Sequence, residues 1–179
     1  KTVEIECPIA EYSKSQNDKT VALFTGGIDS LYTLLRRAPA EFPKTAIDKL
    51  DGILNVWGFD IPLDKPDEFD KVNVLLDKFA KQYQLEKIVI KTNLRQTSFS
   101  KAKWGKLSHG AALAGIGHFL NGFSSEVIIG SSHALPDLQP WGSHIVTDPL
   151  FSSTKTRIMH DGAAASRVEK TKLVSLSKF

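Results

Sequence analysis

Paired glycines, two hydroxyls and one carboxylate crowd into seven positions of the chain, Phe24-Thr25-Gly26-Gly27-Ile28-Asp29-Ser30. Paired glycines admit positive φ and leave no Cβ between the backbone and a bulky anion. Their N–H groups can form an anion-binding nest, and a following helix adds the positive end of its dipole. Thr25 and Ser30 supply hydroxyl donors on either side. Asp29 alone would repel a phosphate, but a carboxylate beside phosphates is a common holder of Mg²⁺. The pattern therefore suggests a phosphorylated ligand carrying a divalent cation. The plainer alternative is a glycine turn between strand and helix, with Asp29 and Ser30 as caps. Walker A spacing is absent, and no G-x-G-x-x-G follows a strand, which excludes the usual GTPase-type and dinucleotide-type loops.

A second concentration of polar chemistry runs from Ser131 to Lys170. Its weak periodicity and length are uncommon in a loop that serves no function. His144 and Asp148 read as a base or as metal ligands. Arg157, Arg167 and Lys170 read as cations able to neutralise phosphate charge in a transition state, and Arg167 and Lys170 are the preferred pair. Taken singly, most of these residues read more readily as structural, with Trp141 as an anchor and Arg167–Glu169 as a solvated pair. His109 reads equally well as a cap or packing group. Asn93 and Arg95, directly after a strand, are expected to face a ligand, as are Gly130 and Ser131 after another.

The elements that must position these groups alternate. Thr20–Phe24 is a short apolar run, and Ile28, Leu31, Leu34 and Leu35 follow at helical spacing, ending near Arg36-Arg37 and Pro39. A second strand contains Ile53–Trp57, and Phe69, Val72, Leu76, Phe79 and Tyr83 mark a helix. Lys87–Thr92 and Glu126–Gly130 read as strands, with a small-residue helix, His109–Leu120, between them. Arg157–His160 reads as one more short strand. Ser166-Arg167-Val168-Glu169 is a capping-box pattern opening a last helix through Leu173 and Leu176. Val3 and Ile5 suggest an edge strand. The alternation predicts an α/β fold, an open, mostly parallel sheet with helices on both faces, Rossmann-like. In such sheets ligands bind beyond the carboxyl ends of the strands, where Gly26-Gly27 falls.

The 179 residues fit one domain with a sizeable core. Hydrophobic residues at 41% and charged residues at 24% are ordinary for a soluble globular protein. The net charge of +3 is scattered, without a dense basic run, which argues against a nucleic-acid partner. A single cysteine, Cys7, excludes an intrachain disulfide and a thiolate-built metal site, and suits a cytoplasmic location. No apolar run is long enough to span a bilayer, and no signal-peptide pattern opens the chain. The first residue is Lys, so a fragment of a longer protein is expected. The expected partner is a small-molecule substrate, and the composition is compatible with a homo-oligomer.

Thr25-Gly26-Gly27-Ile28-Asp29-Ser30 resembles the Ser-Gly-Gly-x-Asp-Ser loop of the ATP pyrophosphatase (PP-loop) superfamily. That group includes GMP synthetase, NAD synthetase, asparagine synthetase, tRNA lysidine synthetase and cyano-deazaguanine synthase. Thr25 replaces the usual Ser and keeps its hydroxyl. The resemblance implies a single PP-loop domain over residues 1–179, with ATP across the sheet edge and its phosphates on Phe24, Thr25, Gly26, Gly27, Asp29 and Ser30. It implies Mg²⁺ near Asp29, cleavage between the α and β phosphates, and AMP transfer to a substrate carbonyl or carboxylate oxygen. A nitrogen or sulfur nucleophile then displaces AMP. It also implies that Val56, Gly58, Phe59 and Asp60 border the adenine. The stretch from Pro140-Trp141-Gly142-Ser143-His144 to Lys170 is similar to a recurrent segment of bacterial PP-loop proteins, implying a further module with a cysteine cluster. Two other functions remain open, a nucleotide-binding module without chemistry and a sulfur-transfer enzyme. The latter relies on cysteines downstream of the loop, whereas Cys7 lies upstream.

Overall fold

In the computed structural model of the chain, residues 19–37 and 49–177 are described. The expected edge strand around Val3 and Ile5, Cys7, and the helix stop at Pro39 lie outside the described residues.

Among the described residues the strands β1 (Thr20–Leu23), β2 (Gly52–Trp57), β3 (Glu86–Lys91), β4 (Glu126–Gly130) and β5 (Arg157–Asp161) form one sheet. All neighbours are parallel, in the order β3-β2-β1-β4-β5. The helices are α1 (Ile28–Arg36), α2 (Pro66–Tyr83), α3 (His109–Phe119) and α4 (Arg167–Ser175). This is the expected Rossmann-like α/β fold. The chain moves outward from β1 to β3, then crosses to the other side of β1 to lay down β4. That reversal makes a crevice at the carboxyl ends of β1 and β4, the switch point at which open α/β sheets bind ligands.

Alternation along β1 assigns its side chains to two cores. Ala22 and Phe24 face Leu34 of α1 and Leu76 and Phe79 of α2. Val21 and Leu23 face Ala112 and Leu113 of α3 on the other side. Burying each large apolar side chain contributes roughly 1.5–3 kcal/mol, and the Phe24 and Phe79 rings meet edge to face at 5.1 Å. The small residues of α3 let it lie close to the sheet. A Cβ at Gly117 would sit 3.1 Å from Ile158 Cδ1 and 3.3 Å from Val127.

Two local features bear on the site. α4 begins with a reciprocal capping box in which Ser166 Oγ accepts from Glu169 N–H and Glu169 accepts from Ser166 N–H. Those bonds hold the exposed Glu169 carboxyl below its usual range. α3 is preceded by a π turn, Trp104–Ser108, which its sequence does not announce. The turn has a visible cause. Gly110 N–H donates to Gly142 O at 2.8 Å and Gly142 N–H donates to Gly105 O at 2.7 Å, so the loop after β4 wedges against the helix start and diverts its hydrogen-bond ladder.

Candidate active site

A cleft of about 500 Å³ opens at the carboxyl edge between β1, β2 and β4. Thr25, Gly27, Asp29 and Ser30 form one wall, Asn55, Val56, Phe59 and Asp60 another, and His109 with Leu113 a third. Phe24 anchors the first wall. Its N–H donates to Leu54 O at 2.8 Å, and its carbonyl accepts from the buried Asn55 amide at 2.9 Å.

Gly26 then turns the chain with φ +79°, a left-handed conformation that an L side chain resists. Gly27 is different. Its φ of −75° suits any residue, and a Cβ there would meet only Thr25 Oγ1, at 3.4 Å. Nothing in the protein itself requires glycine at position 27, and the missing Cβ leaves room on the cleft side. Gly27 is the N-cap of α1 and offers no side-chain cap, so the first turn keeps its donors and its positive potential toward the cleft. Ser30 Oγ donates to Gly27 O at 2.9 Å and accepts from Thr25 N–H at 3.4 Å, closing the loop on itself.

Gly130 ends β4 against this loop. A Cβ there would lie 3.1 Å from Asp29 O, so its lack of a side chain permits strand and loop to touch. The Asp29 carboxylate takes two cations from α4. Arg167 Nη1 donates to Oδ2 at 2.9 Å and Lys170 Nζ to Oδ1 at 3.0 Å. Lys170 also donates to Ser131 O. The two cations differ in setting, since the Lys170 side chain is 2% exposed and that of Arg167 63%. The structure thus brings Asp29, Arg167 and Lys170 together across 138 and 141 positions of sequence. The metal role expected of Asp29 has less support from this arrangement. Both carboxylate oxygens serve cations, and among the described residues no group of three His, Cys, Asp or Glu converges on a metal position.

Other expected ligand contacts fall elsewhere. Phe59 lines the cleft, but Gly58 does not. Its φ is +109° and a Cβ would lie 1.9 Å from Thr92 O, so the turn from β2 across β3 demands the glycine. Arg95 donates to Phe59 O at 2.6 Å and stacks on Trp104 at 4.7 Å, lining a separate hollow. Asn93 caps the 3-10 turn Leu94–Gln96. Both follow β3, an edge strand, and neither lines the cleft, although Arg95 reaches close enough to His109 to help lower its pKa. Ser131 is buried, donating from N–H to Asp161 O and from Oγ to His133 O, and Ser132 lines the cleft instead.

The candidates His144, Asp148 and Arg157 form framework. Asp148, fully buried, accepts from Ser143 Oγ at 2.6 Å, His144 N–H at 3.0 Å and His160 Nδ1 at 2.7 Å. His144 Nδ1 accepts from Val146 N–H within the same turn. Arg157 pairs with Glu126 at 3.2 Å where β4 and β5 begin, at the edge of the sheet opposite the cleft.

His109 joins the cleft although the sequence favoured Asn93 and Arg95 over it. Its Nδ1 is buried without a hydrogen-bond partner. Burial holds its pKa below the ordinary 6.5, Asp60 and Asp148 oppose that shift, and Arg95 reinforces it. That balance favours the uncharged ring. The only hint in the sequence is its place at the head of a small-residue helix.

Compared with known proteins, the chain matches no family model, no curated protein and no solved structure.

Proposed function

We propose that this chain binds ATP at the cleft and transfers AMP to a small-molecule carbonyl or carboxylate oxygen, releasing pyrophosphate. One observation supports the reading above the others. A glycine that the fold does not require, Gly27, sits on the cleft wall at an uncapped helix N-terminus, beside a carboxylate holding two cations. Together with the loop's resemblance to the PP-loop pattern, this favours a polyphosphate over a neutral ligand.

The residues then have separate tasks. Gly26 and the first turn of α1 receive the phosphates through backbone N–H groups, while the Gly27 N–H is held by Thr25 Oγ1 at 3.3 Å. Lys170 and Arg167 supply positive charge as negative charge builds on the α-phosphate. Asp29 holds both cations in place before the ligand arrives, and the exposed Arg167 is the one free to swing onto it. In the reaction, a substrate oxygen forms a bond to the α-phosphorus as the bond to the bridging oxygen breaks and pyrophosphate leaves. A nitrogen nucleophile then takes the acyl carbon, and AMP departs with the oxygen. Mg²⁺ would arrive on the triphosphate, which it binds readily, and would screen its charge.

The test is product analysis. The protein incubated with ATP, Mg²⁺ and panels of carboxylates and amine donors should yield AMP and pyrophosphate, resolved by phosphorus NMR. ADP and phosphate as the products would sink the adenylation reading.

A further inference from the structure

Positive charge gathers behind Asp29 at one end of the cleft, although neither Lys170 nor Arg167 itself lines it. Lys170, Arg167 and the N-terminus of α1 gather around Asp29, on the face of the sheet that carries α1 and α2. The wall on the other face is built differently. Val56, Phe59 and Leu113 make it apolar, and its polar members are His109 and Asp60. A carboxylate beside an uncharged imidazole is a poor seat for a polyphosphate. An apolar surface with a few placed polar groups is the usual lining for an uncharged organic ligand.

His109 is not held by the protein in the way buried imidazoles usually are. Its Nδ1 is buried and lacks a partner, out of reach of a ligand, whereas Nε2 is not buried and has no partner among the described residues, so Nε2 is the ring nitrogen open to the cleft. The ring stacks obliquely on Trp104 at 5.3 Å, and Trp104 meets Phe59 edge to face at 4.9 Å. The π turn clamped by Gly142 fixes where the ring emerges. Its position is set by packing, while its hydrogen bonding is left open.

We propose that His109 reads the nucleoside half of the ligand, its Nε2 accepting a hydrogen bond from an adenosine hydroxyl or amino group. This rests on the ATP reading above and adds to it one residue, His109 at the head of α3. The charged groups facing the ring are Asp60 after β2, Asp148 in the turn after β4 and Arg95 after β3. With the ring's pKa lowered by burial, acceptance is available at neutral pH and is lost as pH falls through that lowered pKa.

Calorimetric titration of wild type, His109→Ala and His109→Gln with AMP, ATP and pyrophosphate tests this. AMP and ATP should weaken roughly ten-fold in His109→Ala, as for one lost hydrogen bond, with pyrophosphate unchanged. Wild-type affinity for AMP should fall more steeply below pH 6.5 than that of His109→Gln, a difference that a merely structural histidine would not produce. Should His109→Ala fold poorly, His109→Gln and the pH comparison carry the test. Unchanged AMP affinity in both variants, equal losses for pyrophosphate, or parallel pH profiles would overturn the assignment while leaving ATP binding intact. If wild type binds neither ATP nor pyrophosphate, the ATP reading fails first and this one with it.

Discussion

Two polar segments leave the carboxyl edge of this sheet, and they use their polar groups in opposite ways. In the loop Thr25–Ser30 the uncapped first turn of α1 is turned toward the cleft, and Gly27 leaves space there. The segment Ser131–Asp161 carries more ionisable side chains, yet its buried carboxylates are taken up by partners within the protein. Asp148 alone absorbs Ser143, His144 and His160, and Asp161 takes Thr33 Oγ1 at 2.9 Å and Arg36 at 3.2 Å. The density of charged residues is therefore a poor guide to a site. Unused hydrogen-bonding capacity facing a cavity is a better one.

The largest effect should come from filling the space at Gly27. Gly27→Val keeps a backbone that any residue adopts, so the fold should survive with a near wild-type melting temperature. ATP affinity should drop beyond about a hundred-fold, because the side chain occupies the approach to the backbone donors. Unchanged affinity by calorimetry would remove the phosphate-loop assignment and with it the contrast between the segments.

Next in size is the cost of opening the internal network. Asp148→Ala leaves three buried donors unpaired and should cost roughly 3 kcal/mol or more in denaturant titration. Lys170→Ala should cost a similar amount, on the order of 3–5 kcal/mol, because it breaks a buried pair and orphans the Ser131 carbonyl. Asp148→Ala protein that still folds should bind ATP normally. A large specific loss of binding there would mean that the second segment belongs to the site after all.

The smallest effect on stability should be that of Arg167→Ala. Its partly solvated pair is worth roughly 0–1 kcal/mol, so the melting curve should barely move. Turnover should nonetheless fall about ten- to hundred-fold if the guanidinium meets the phosphates. Wild-type turnover in this variant would leave Lys170 as the sole cation acting on the ligand.

β1 to β4 were legible because each holds a short apolar run, and α1 and α2 because their apolar residues recur every three or four positions. The order of strands was not legible, since no apolar pattern states that β4 returns beside β1. That order decides which loops meet. The ends of β1 and β4 border the cleft, whereas Asn93 and Arg95 follow the edge strand β3 and do not line it, which the strand order decides. Gly58 misled for another reason, as a glycine demanded by its neighbour's carbonyl looks the same in sequence as one demanded by a ligand. Residues 94–108, with two 3-10 turns and a π turn, have no regular period to detect. His109 was obscured with them.

The position of β1 in the middle of the sheet also sets a timetable for synthesis. Its register ties Val21 to Gly52 on one side and to Val127 on the other. At roughly 5–20 residues per second, the first partner leaves the ribosome within seconds, but the second follows about 5–20 s after β1 itself. Throughout that interval β1 is an apolar strand with one edge unpaired, the condition that invites pairing with other chains. The crevice between β1 and β4 cannot exist before β4 has been made, so a nascent chain that has not yet passed Gly130 carries the glycine loop with no cleft behind it.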